Sequence, residues 1–546
     1  MKFYLMFRDF FKIYKLPILS GVLFGCSFIP FPFFLLFFCL VPLWLFIYKQ
    51  NSLKPVLIAC FITQFIMALI GFNWIIYTFH FFGGINWLVS FVLLLLFCSI
   101  ATSYITLSGW LWFVVTKKSS LNSAPAKLIL LPLIFSVLHS LIPTLFPWNM
   151  GYTWFWGGLW GAQTAELWGF RFLNTLFYIF NLLFLIVYHH LHRFSSQSLN
   201  GSKIQNTARY ITSFRLDKVG IKALSGAIFL FIFLNVLGFS LKKRLPVTSA
   251  SLNVIIAQHN VTLKEKDFKP FRSFKEKSFY ILRSLTYSSI KQLRKDKIKR
   301  EDVDFILWPE GAYPYTIDKK RNREVRLSRF VRALKIPLIT GAITQEADDY
   351  SNSIVVFSRK GRIKKPVYDK MKLLIFGEYI PLIDKWSFLK KIFPYFGSNF
   401  KAGTHTQVQE LEAKKIGLQI CYEALFDDLN RELANKSAHF LVNVTNDSWY
   451  GSWQEPYQHL TMSLARAIEI RRPIIRSTNT GFSGVSHADG TVELSMPLNK
   501  AQFHLHKVPY YKNPPKTLFM SWGYYINEIF LSLLLLLALV LTVRKN

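Results

Sequence analysis

Long apolar runs without charges constrain this chain more than any other feature. Uncharged apolar windows give seven candidate membrane spans before a polar section and one after it. The first two candidates share one apolar run that is broken near Pro30 and Pro32, and this run forms either two short helices or a hairpin. Since 52% of the 546 residues are hydrophobic and 17% aromatic, the chain holds more apolar material than one water-soluble core uses. The approximate limits of these predicted spans are 16–29, 31–48, 54–79, 87–115, 127–145, 169–191, 223–241 and 524–543.

These runs predict three regions along the chain. Residues 1–245 form a polytopic α-helical membrane domain with about seven helices, residues 246–512 form a polar domain, and residues 513–546 contain a last membrane helix. Basic residues precede the first span and follow the second, fourth and sixth, whereas the connections near Pro30, at 80–86 and at 146–168 contain no Lys or Arg. Because basic connections stay in the cytoplasm, we expect the polar domain on the opposite face.

The charge balance and the cysteine positions limit the kinds of partner and cofactor that we expect for this chain. Lys and Arg outnumber Asp and Glu by 65 to 31, and in so apolar a chain anionic lipid is the simplest explanation, so we expect a membrane partner and no nucleic acid. Four of the five cysteines lie in the N-terminal apolar stretches, which leaves Cys421 alone in the polar section. The spacing fits no metal motif, so we expect no metal and no cofactor, and Cys421 is either inert or chemically used.

The polar section changes to short β-rich runs that alternate with amphipathic helices, which is typical of a layered α/β domain with buried sheets. We predict strands near 254–257, 304–307, 337–340, 353–357, 416–420, 440–443 and 474–476, and helices near 271–298, 322–334, 425–435 and 456–472. Polar clusters follow several strand ends, where open α/β sheets build their sites. These clusters are 308–314, 368–381, 421–423 and 443–451.

Cys421 lies at a predicted corner between the strand 416–420 and a helical pattern of leucines. An isolated cysteine in a strand is more often a small core residue, so its neighbours decide its role. A nucleophilic thiol needs a base for its proton and a positive group for the charge that develops during attack. Glu310, between a proline and a glycine at a strand end, is a suitable base, and Lys370, rather than Lys372, is the chosen cation. Taken singly, such residues are usually just solvated.

The ordered motifs resemble a known family. Trp308–Pro314 (WPEGAYP), Tyr368–Pro381 (YDKMKLLIFGEYIP), Gly417–Phe426 (GLQICYEALF) and Thr445–Gly451 (TNDSWYG) resemble the nitrilase superfamily, and with the spans they resemble its membrane-bound branch, the apolipoprotein N-acyltransferase family. The resemblance implies an α/β fold, an α-β-β-α sandwich beside the membrane helices, and a triad of base, oxyanion stabiliser and nucleophile. These three residues are Glu310, Lys370 and Cys421.

The resemblance also implies residues around the triad. Substrate-binding or supporting positions are Glu378, Tyr422, Glu423, Trp449, Phe146 and Trp148. The aromatic connection that holds Phe146 and Trp148 is either an interfacial belt or a segment that shapes a groove for lipid access. Further downstream, the residues that fit the family pattern are read mainly as scaffold. They include His459, Arg466, Glu469 and Arg476.

The activity implied is acyl transfer in a bacterial inner membrane, with the domain on the periplasmic face. A membrane phospholipid is the acyl donor, a cysteine thioester the intermediate, and the α-amino group of a diacylglyceryl-modified apolipoprotein cysteine the acceptor; we expect a monomer. Two alternatives stay open: a membrane-anchored carbon-nitrogen hydrolase of the amidase or nitrilase type, with water as acceptor, and a non-catalytic lipid-binding scaffold. A transporter is disfavoured because the spans carry few charges.

Overall fold

The computed structural model describes residues 2–118, 123–144, 146, 148–199, 216–261, 273–321, 324–375, 377–379 and 400–543. Contacts divide the chain into two compact units. We name the two units after the roles that the sequence predicts for them. The membrane unit comprises Met1–Asn73, Leu94–Arg244 and Trp522–Asn546, and the catalytic unit comprises Trp74–Leu93 and Leu245–Ser521. The segment Trp74–Leu93, which the predicted limits assign to the membrane domain, therefore clusters with the catalytic unit. The predicted limits themselves stay a prediction.

The N-terminal half is helical. Its α-helices are α1 (Lys2–Gly25), α2 (Val41–Tyr48), α3 (Leu53–Gly71), α4 (Ile75–Tyr77), α5 (Trp87–Ile100), α6 (Tyr104–Lys118), α7 (Ala124–Leu141), α8 (Tyr152–Trp156), α9 (Ala165–Leu199) and α10 (Lys218–Lys243). Among the described residues, five helical stretches are long and apolar enough to cross a membrane: Leu53–Gly71, Trp87–Lys117, Ala124–Leu141, Trp160–Leu191 and Lys218–Lys243. The predicted helical membrane region is thereby confirmed.

Three predicted spans differ in detail from the structure. The window 31–48 forms a short 3₁₀ helix, Phe33–Phe37, followed by the eight-residue α2, and this apolar stretch is shorter than a membrane-crossing helix. The window 16–29 is the end of α1, whose first half carries charges. The window 54–79 ends early, because α3 stops at Gly71. Residues 119–122 and 200–215, part of the basic connections used for orientation, lie outside the described residues.

The catalytic unit contains two mixed sheets. The seven-stranded sheet has the order β13-β1-β2-β4-β5-β6, with β3 paired to β4, and the six-stranded sheet has the order β12-β11-β10-β9-β8-β7. The strands are β1 (Ala250–Gln258), β2 (Phe305–Leu307), β3 (Tyr313–Asp318), β4 (Leu338–Glu346), β5 (Asp349–Phe357), β6 (Tyr368–Asp369), β7 (Val408–Leu411), β8 (Lys414–Ile420), β9 (Phe440–Thr445), β10 (Ile474–Thr478), β11 (Ser483–Ser486), β12 (Val492–Met496) and β13 (Gln502–Tyr510). All seven predicted strands are present.

Helices cover the outer face of each sheet. Apolar side chains of α11 (Phe274–Lys295) and α12 (Val325–Leu334) share a buried core with β1, β2, β4 and β5. The helices α13 (Asp427–Asn435) and α14 (Glu455–Ile470) contact β8, β10 and β11 of the other sheet. The inner faces of the two sheets meet, as the rings of Phe305 on β2 and Phe440 on β9 stack at 6.0 Å between centroids. The unit is thus the predicted α-β-β-α sandwich. The last helix of the chain is α15 (Ile526–Val543).

Strand direction places the polar clusters at one edge. In the first sheet β2 runs parallel to β4, and in the second sheet β9 runs parallel to both β8 and β10. Within each sheet, the carboxyl ends of these strands therefore lie side by side. Glu310 follows β2 by three residues, and Cys421 follows β8 directly. The residues that sequence reasoning picked out therefore converge on the same edge of the sandwich.

Candidate active site

Cys421 lies at the turn from β8 into a 3₁₀ helix, Cys421–Leu425. Its φ of 55° is in the left-handed region, which costs a non-glycine residue about 1–2 kcal/mol. Neighbouring side chains hold this turn: the Asn443 side-chain amide donates to the Cys421 carbonyl at 2.9 Å, and the amide of Ile420 donates to Glu423 at 2.7 Å. The predicted strand-to-helix corner is confirmed, and Cys421 adopts a strained backbone conformation there.

Glu423 connects the Cys421 turn to the segment that carries Lys370. Its carboxylate accepts hydrogen bonds from the Tyr368 hydroxyl at 2.8 Å and from the backbone amides of Met371 and Lys372 at 2.6 and 3.2 Å. It is fully buried, and burial raises the pKa of Glu423 to about 7. With these donors and the Ile420 amide engaged, Glu423 acts as a structural anchor between two strand ends.

We name Glu310, Lys370, Glu378 and Cys421 the reactive cluster. The Lys370 ammonium lies 2.9 Å from Glu378 Oε1 and 3.4 Å from Glu310 Oε1. Asn352 Nδ2 donates to both carboxylates at 2.7 Å. One cation and one amide thus hold two buried carboxylates together, a pair that would otherwise repel.

Electrostatics in the reactive cluster favour a neutral thiol beside a competent base. Burial would lower the pKa of Lys370, but Glu310 and Glu378 outweigh burial and raise that pKa well above its usual range. Burial raises the pKa of Glu310, and Lys370 opposes the rise. Burial and then Glu310 raise the pKa of the Cys421 thiol, while Lys370 lowers it. Cys421 therefore loses its proton only when a neighbouring base takes it.

Local backbone chemistry positions Glu310. Gly311 has a φ of 61°, a turn conformation that favours glycine, so the chain bends just after the carboxylate. Strand β4 passes so close that a Cβ on Gly341 would lie 2.5 Å from the Glu310 Cα. A side chain at 341 would push Glu310 away from Lys370, so the flanking glycines are part of the site.

A second ionic group lies behind the nucleophile, and we name its members Asn443, Asp447, Glu455, His459 and Arg476 the support cluster. Arg476 donates to Asn443 Oδ1 at 2.7 Å and to Asp447 Oδ2 at 2.9 Å, and His459 Nδ1 is 2.9 Å from Asp447 Oδ1. Despite burial, Arg476 and His459 lower the pKa of Asp447 to about 2, whereas burial and Asp447 raise the pKa of Glu455 well above its usual range. Through Asn443, this group is linked to the backbone of Cys421.

The segment Trp74–Phe82 contributes aromatic walls near the site. The Trp74 indole donates to Gln458 at 3.2 Å, and its ring meets the Tyr450 ring at 5.2 Å between centroids. The Tyr77 ring is within van der Waals reach of Gly451. Sequence reasoning treated this stretch only as the end of a span, since the apolar pattern gives no signal of a contact with residues 450–458.

The predicted site residues divide into two groups. Glu310, Lys370, Glu378, Cys421, Tyr422 and Glu423 come together; the Lys370 ammonium also lies 5.6 Å from the centre of the Tyr422 ring. Trp449 is close by, since a Cβ on Gly377, next to Glu378, would meet its ring at 2.9 Å. Lys372 instead lies over the Phe426 ring, at 5.3 Å.

Phe146 and Trp148 belong to the membrane unit. Both line a small cavity there with Tyr104 and His139, and Trp148 stacks on Phe28 at 3.7 Å between ring centroids. Their predicted role toward the substrate stays a prediction.

Sequence reasoning assigned no individual role to three polar residues of the site, although two of them lie in the predicted polar cluster 443–451. Asn352 bridges the two carboxylates, Asn443 holds the Cys421 carbonyl, and Asp447 anchors Arg476. Each is a polar residue at or near the end of a buried β-strand, a signal that was present in the sequence but too general to assign a partner. Arg466 and Glu469, read as scaffold, form a buried ion pair at 2.5 Å.

Comparison with known proteins agrees with the motifs. The profile described as carbon-nitrogen hydrolase matches residues 275–503, and the profile described as apolipoprotein N-acyltransferase N-terminal domain matches residues 20–183. The apolipoprotein N-acyltransferase of Bdellovibrio bacteriovorus is 34% identical over 532 residues, covering 94% of this chain and 91% of that protein. The one of Geobacter metallireducens is 26% identical over 507 residues, covering 89% and 87%. A solved carbon-nitrogen hydrolase from Helicobacter pylori G27 aligns with 47% of this chain and 89% of its own, at 16% identity and a TM-score of 0.35.

Proposed function

Because the chain belongs to the apolipoprotein N-acyltransferase family, we propose that it carries a fatty acyl chain from a membrane phospholipid, through a thioester on Cys421, to the α-amino group of the diacylglyceryl-modified N-terminal cysteine of an apolipoprotein. The chain is an acyl-transferring enzyme with a carbon-nitrogen hydrolase domain. The observation that carries the finer proposal is the Lys370 ammonium held between Glu310 and Glu378, close enough to Cys421 to affect its pKa.

In the first half reaction, Glu310 takes the proton of the Cys421 thiol as the sulfur attacks the ester carbonyl of the phospholipid. The carbonyl oxygen becomes negatively charged, and the Lys370 ammonium stabilises that charge. When the ester C–O bond breaks, Glu310 returns its proton to the leaving oxygen. The products are a lysophospholipid and an acyl thioester on Cys421.

In the second half reaction, the free α-amino group of the acceptor attacks the thioester carbonyl. Glu310 takes one proton from the nitrogen, Lys370 again stabilises the oxyanion, and the C–S bond breaks to leave an amide. The proton then returns to the sulfur, so the enzyme regains its starting state. Each step uses side chains of this chain, without a cofactor.

The substrates explain why such a site accompanies membrane helices. The donor and the acceptor both carry acyl chains, and moving each buried CH₂ into water costs about 0.8 kcal/mol. Five apolar helical stretches therefore suit a site that receives substrates from lipid. We place the enzyme in a bacterial inner membrane with the catalytic unit on the periplasmic face, and a single chain supplies all the residues of the mechanism.

A two-stage assay tests this function. Purified full-length protein is first incubated with phospholipid alone, and a diacylglyceryl peptide with a free N-terminal cysteine amine is then added. We expect one equivalent of lysophospholipid per enzyme at first, and N-acylated peptide only after the second addition. Multiple turnovers of free fatty acid without peptide would show a hydrolase, and the absence of any lysophospholipid would support the lipid-binding scaffold.

A further inference from the structure

A second cluster of ionisable side chains lies at the edges of the two sheets, and the mechanism does not use it. Its members are His487, Glu493, His504 and His506, which we name the edge cluster. Glu493 is on β12, the edge strand of the six-stranded sheet, and His504 and His506 are on β13, the edge strand of the seven-stranded sheet. His487 follows β11, in the turn that leads to β12. The edge cluster thus spans the border between the sheets.

The ligand-type atoms of these side chains converge. His506 Nδ1 lies 3.0 Å from Glu493 Oε1, and His487 Nε2 lies 3.4 Å from Glu493 Oε2. One ligand atom each from Glu493, His504 and His506 all lie within 4.8 Å of one another. His504 and His506 are two residues apart on a strand, so both rings project from the same face, with centroids 4.5 Å apart.

This combination of donors suits a transition metal. Imidazole nitrogens and a carboxylate oxygen bind Zn²⁺ at about 2.0–2.2 Å, so tetrahedral ligand atoms lie roughly 3.3–3.5 Å apart. The ligand atoms of Glu493, His504 and His506, which lie within 4.8 Å of one another, reach that spacing by rotation of their side chains.

The support cluster provides an internal comparison. Asp447, Glu455 and His459 also bring ligand atoms within 4.8 Å of one another. There, however, the Arg476 guanidinium lies 2.9 Å from Asp447 and 3.2 Å from His459 Nδ1, so a permanently charged side chain already contacts two of the three candidate ligands. In the edge cluster, the neighbours of Glu493 are the imidazole rings of His487 and His506, and a neutral imidazole can bind a metal ion.

We propose that the edge cluster binds a divalent first-row transition-metal ion, with Zn²⁺ the best fit, through Glu493, His504 and His506, and with His487 as the fourth ligand. Glu493 and His504 are exposed, so the ion reaches the cluster directly from solvent. The bound ion joins β12 to β13 and stabilises the border between the sheets. This site is independent of the acyl-transfer chemistry proposed above.

The test uses tag-free, full-length protein that has been stripped of metal with a chelator. Isothermal titration with ZnCl₂ should give one ion per chain with micromolar or tighter affinity, and MgCl₂ should give no binding at the same concentrations. Zinc should also raise the thermal unfolding temperature, because a ligand that binds only the folded state stabilises it. X-ray absorption should show nitrogen and oxygen ligands near 2.0–2.1 Å.

Three variants, one of them a control, make the test specific. His504 is exposed, so His504→Ala should fold normally and weaken zinc binding at least tenfold; exposed His405 lies outside the cluster, so His405→Ala should leave it unchanged. Glu493→Gln should weaken binding as His504→Ala does. The proposal is overturned if the wild-type protein binds no zinc at 1:1, or if His504→Ala and Glu493→Gln bind it as tightly as His405→Ala.

Discussion

Two buried ionic clusters lie in the same catalytic unit, and they treat their carboxyl groups differently. In the support cluster, Arg476 is hydrogen-bonded to Asp447 and Asn443, and the pKa of Asp447 is lowered to about 2, whereas burial and Asp447 raise the pKa of Glu455 well above its usual range. In the reactive cluster, Lys370 is shared by two carboxylates, and the pKa of Glu310 is raised.

The side chains of the two clusters are similarly buried, so burial alone does not explain why Glu310 can act as a base. What differs is how the cation is shared. A carboxylate with a committed guanidinium cannot accept a proton at neutral pH, whereas one that shares an ammonium keeps its basicity. The reactive cluster is therefore suited to exchange of a proton, whereas the support cluster holds its side chains in fixed positions. Substitutions in and beside the two clusters test this difference.

Removing Arg476 should have the largest effect. In Arg476→Met the buried Asp447 carboxylate loses its cation, and breaking a buried pair in this way costs about 3–5 kcal/mol. We expect a clear fall in the thermal unfolding temperature of the purified protein. The double variant Arg476→Met with Asp447→Asn should recover part of the loss, because no uncompensated charge remains. If the single and double variants unfold at the same temperature, the support cluster is not held by this charge pair.

Removing Lys370 should abolish most of the chemistry. Lys370→Met should slow acylation of Cys421 by about 10²–10³-fold, the loss typical of a missing oxyanion stabiliser. Lys372→Met is the matched control, since Lys372 lies over the Phe426 ring rather than between the carboxylates. Single-turnover release of lysophospholipid measures both. A Lys370→Met rate within threefold of the Lys372→Met rate would contradict the assignment.

Removing Asn352 should change the pH dependence. The rate of acylation rises with pH as Glu310 loses its proton, because the base must be ionised. The Asn352 hydrogen bond lowers the pKa of Glu310, so Asn352→Ala should raise that pKa and move the rising limb to higher pH. In contrast, Asn443→Ala, which disturbs the Cys421 carbonyl, should reduce the rate without moving the limb. The measurement is the acylation rate of each variant between pH 4 and pH 9. If the rising limb of Asn352→Ala coincides with that of the wild type, Asn352 does not control the pKa of Glu310.

The smallest effect should come from the Tyr422 hydroxyl. It donates to the Leu373 carbonyl at 2.8 Å, which fixes the segment that carries Lys370, while the aromatic ring stays in Tyr422→Phe. A hydrogen bond of this kind contributes about 1 kcal/mol, so we expect a rate loss of less than tenfold. Acylation rates of this variant and of wild type provide the measurement. A loss as large as that of Lys370→Met would mean that the hydroxyl itself takes part in the chemistry.

Much of the catalytic unit could be predicted from the sequence. Apolar β-rich runs gave the seven predicted strands, and the run before Cys421 gave the corner at which it lies. The likeness of four motifs to a known family gave Glu310 and Lys370, which singly look like solvated residues. The predicted strands and corner agree with the structure because apolar runs and strand ends are local properties of the chain. The catalytic roles of Glu310 and Lys370 stay predictions.

The rest depends on pairing between distant segments. Asn352 meets Glu310 because β5 pairs with β4 in a particular register, and β13 joins β1 across roughly 250 residues. Sequence periodicity does not specify such registers. In the membrane unit, the window 31–48 is apolar throughout but folds into two short helices. Hydropathy indicates that a segment is buried away from water, but it does not indicate where a helix begins or ends.

The most direct test of the account is the mass of the protein after exposure to phospholipid without acceptor. Full-length wild-type protein should gain one acyl group, located on the peptide that contains Cys421, while the peptides with Cys26, Cys39, Cys60 and Cys98 keep their unmodified mass. Cys421→Ala should gain none and should unfold at nearly the wild-type temperature. An acyl group on another residue, or acyl transfer by Cys421→Ala, would contradict the central claim that this thiol carries the acyl chain.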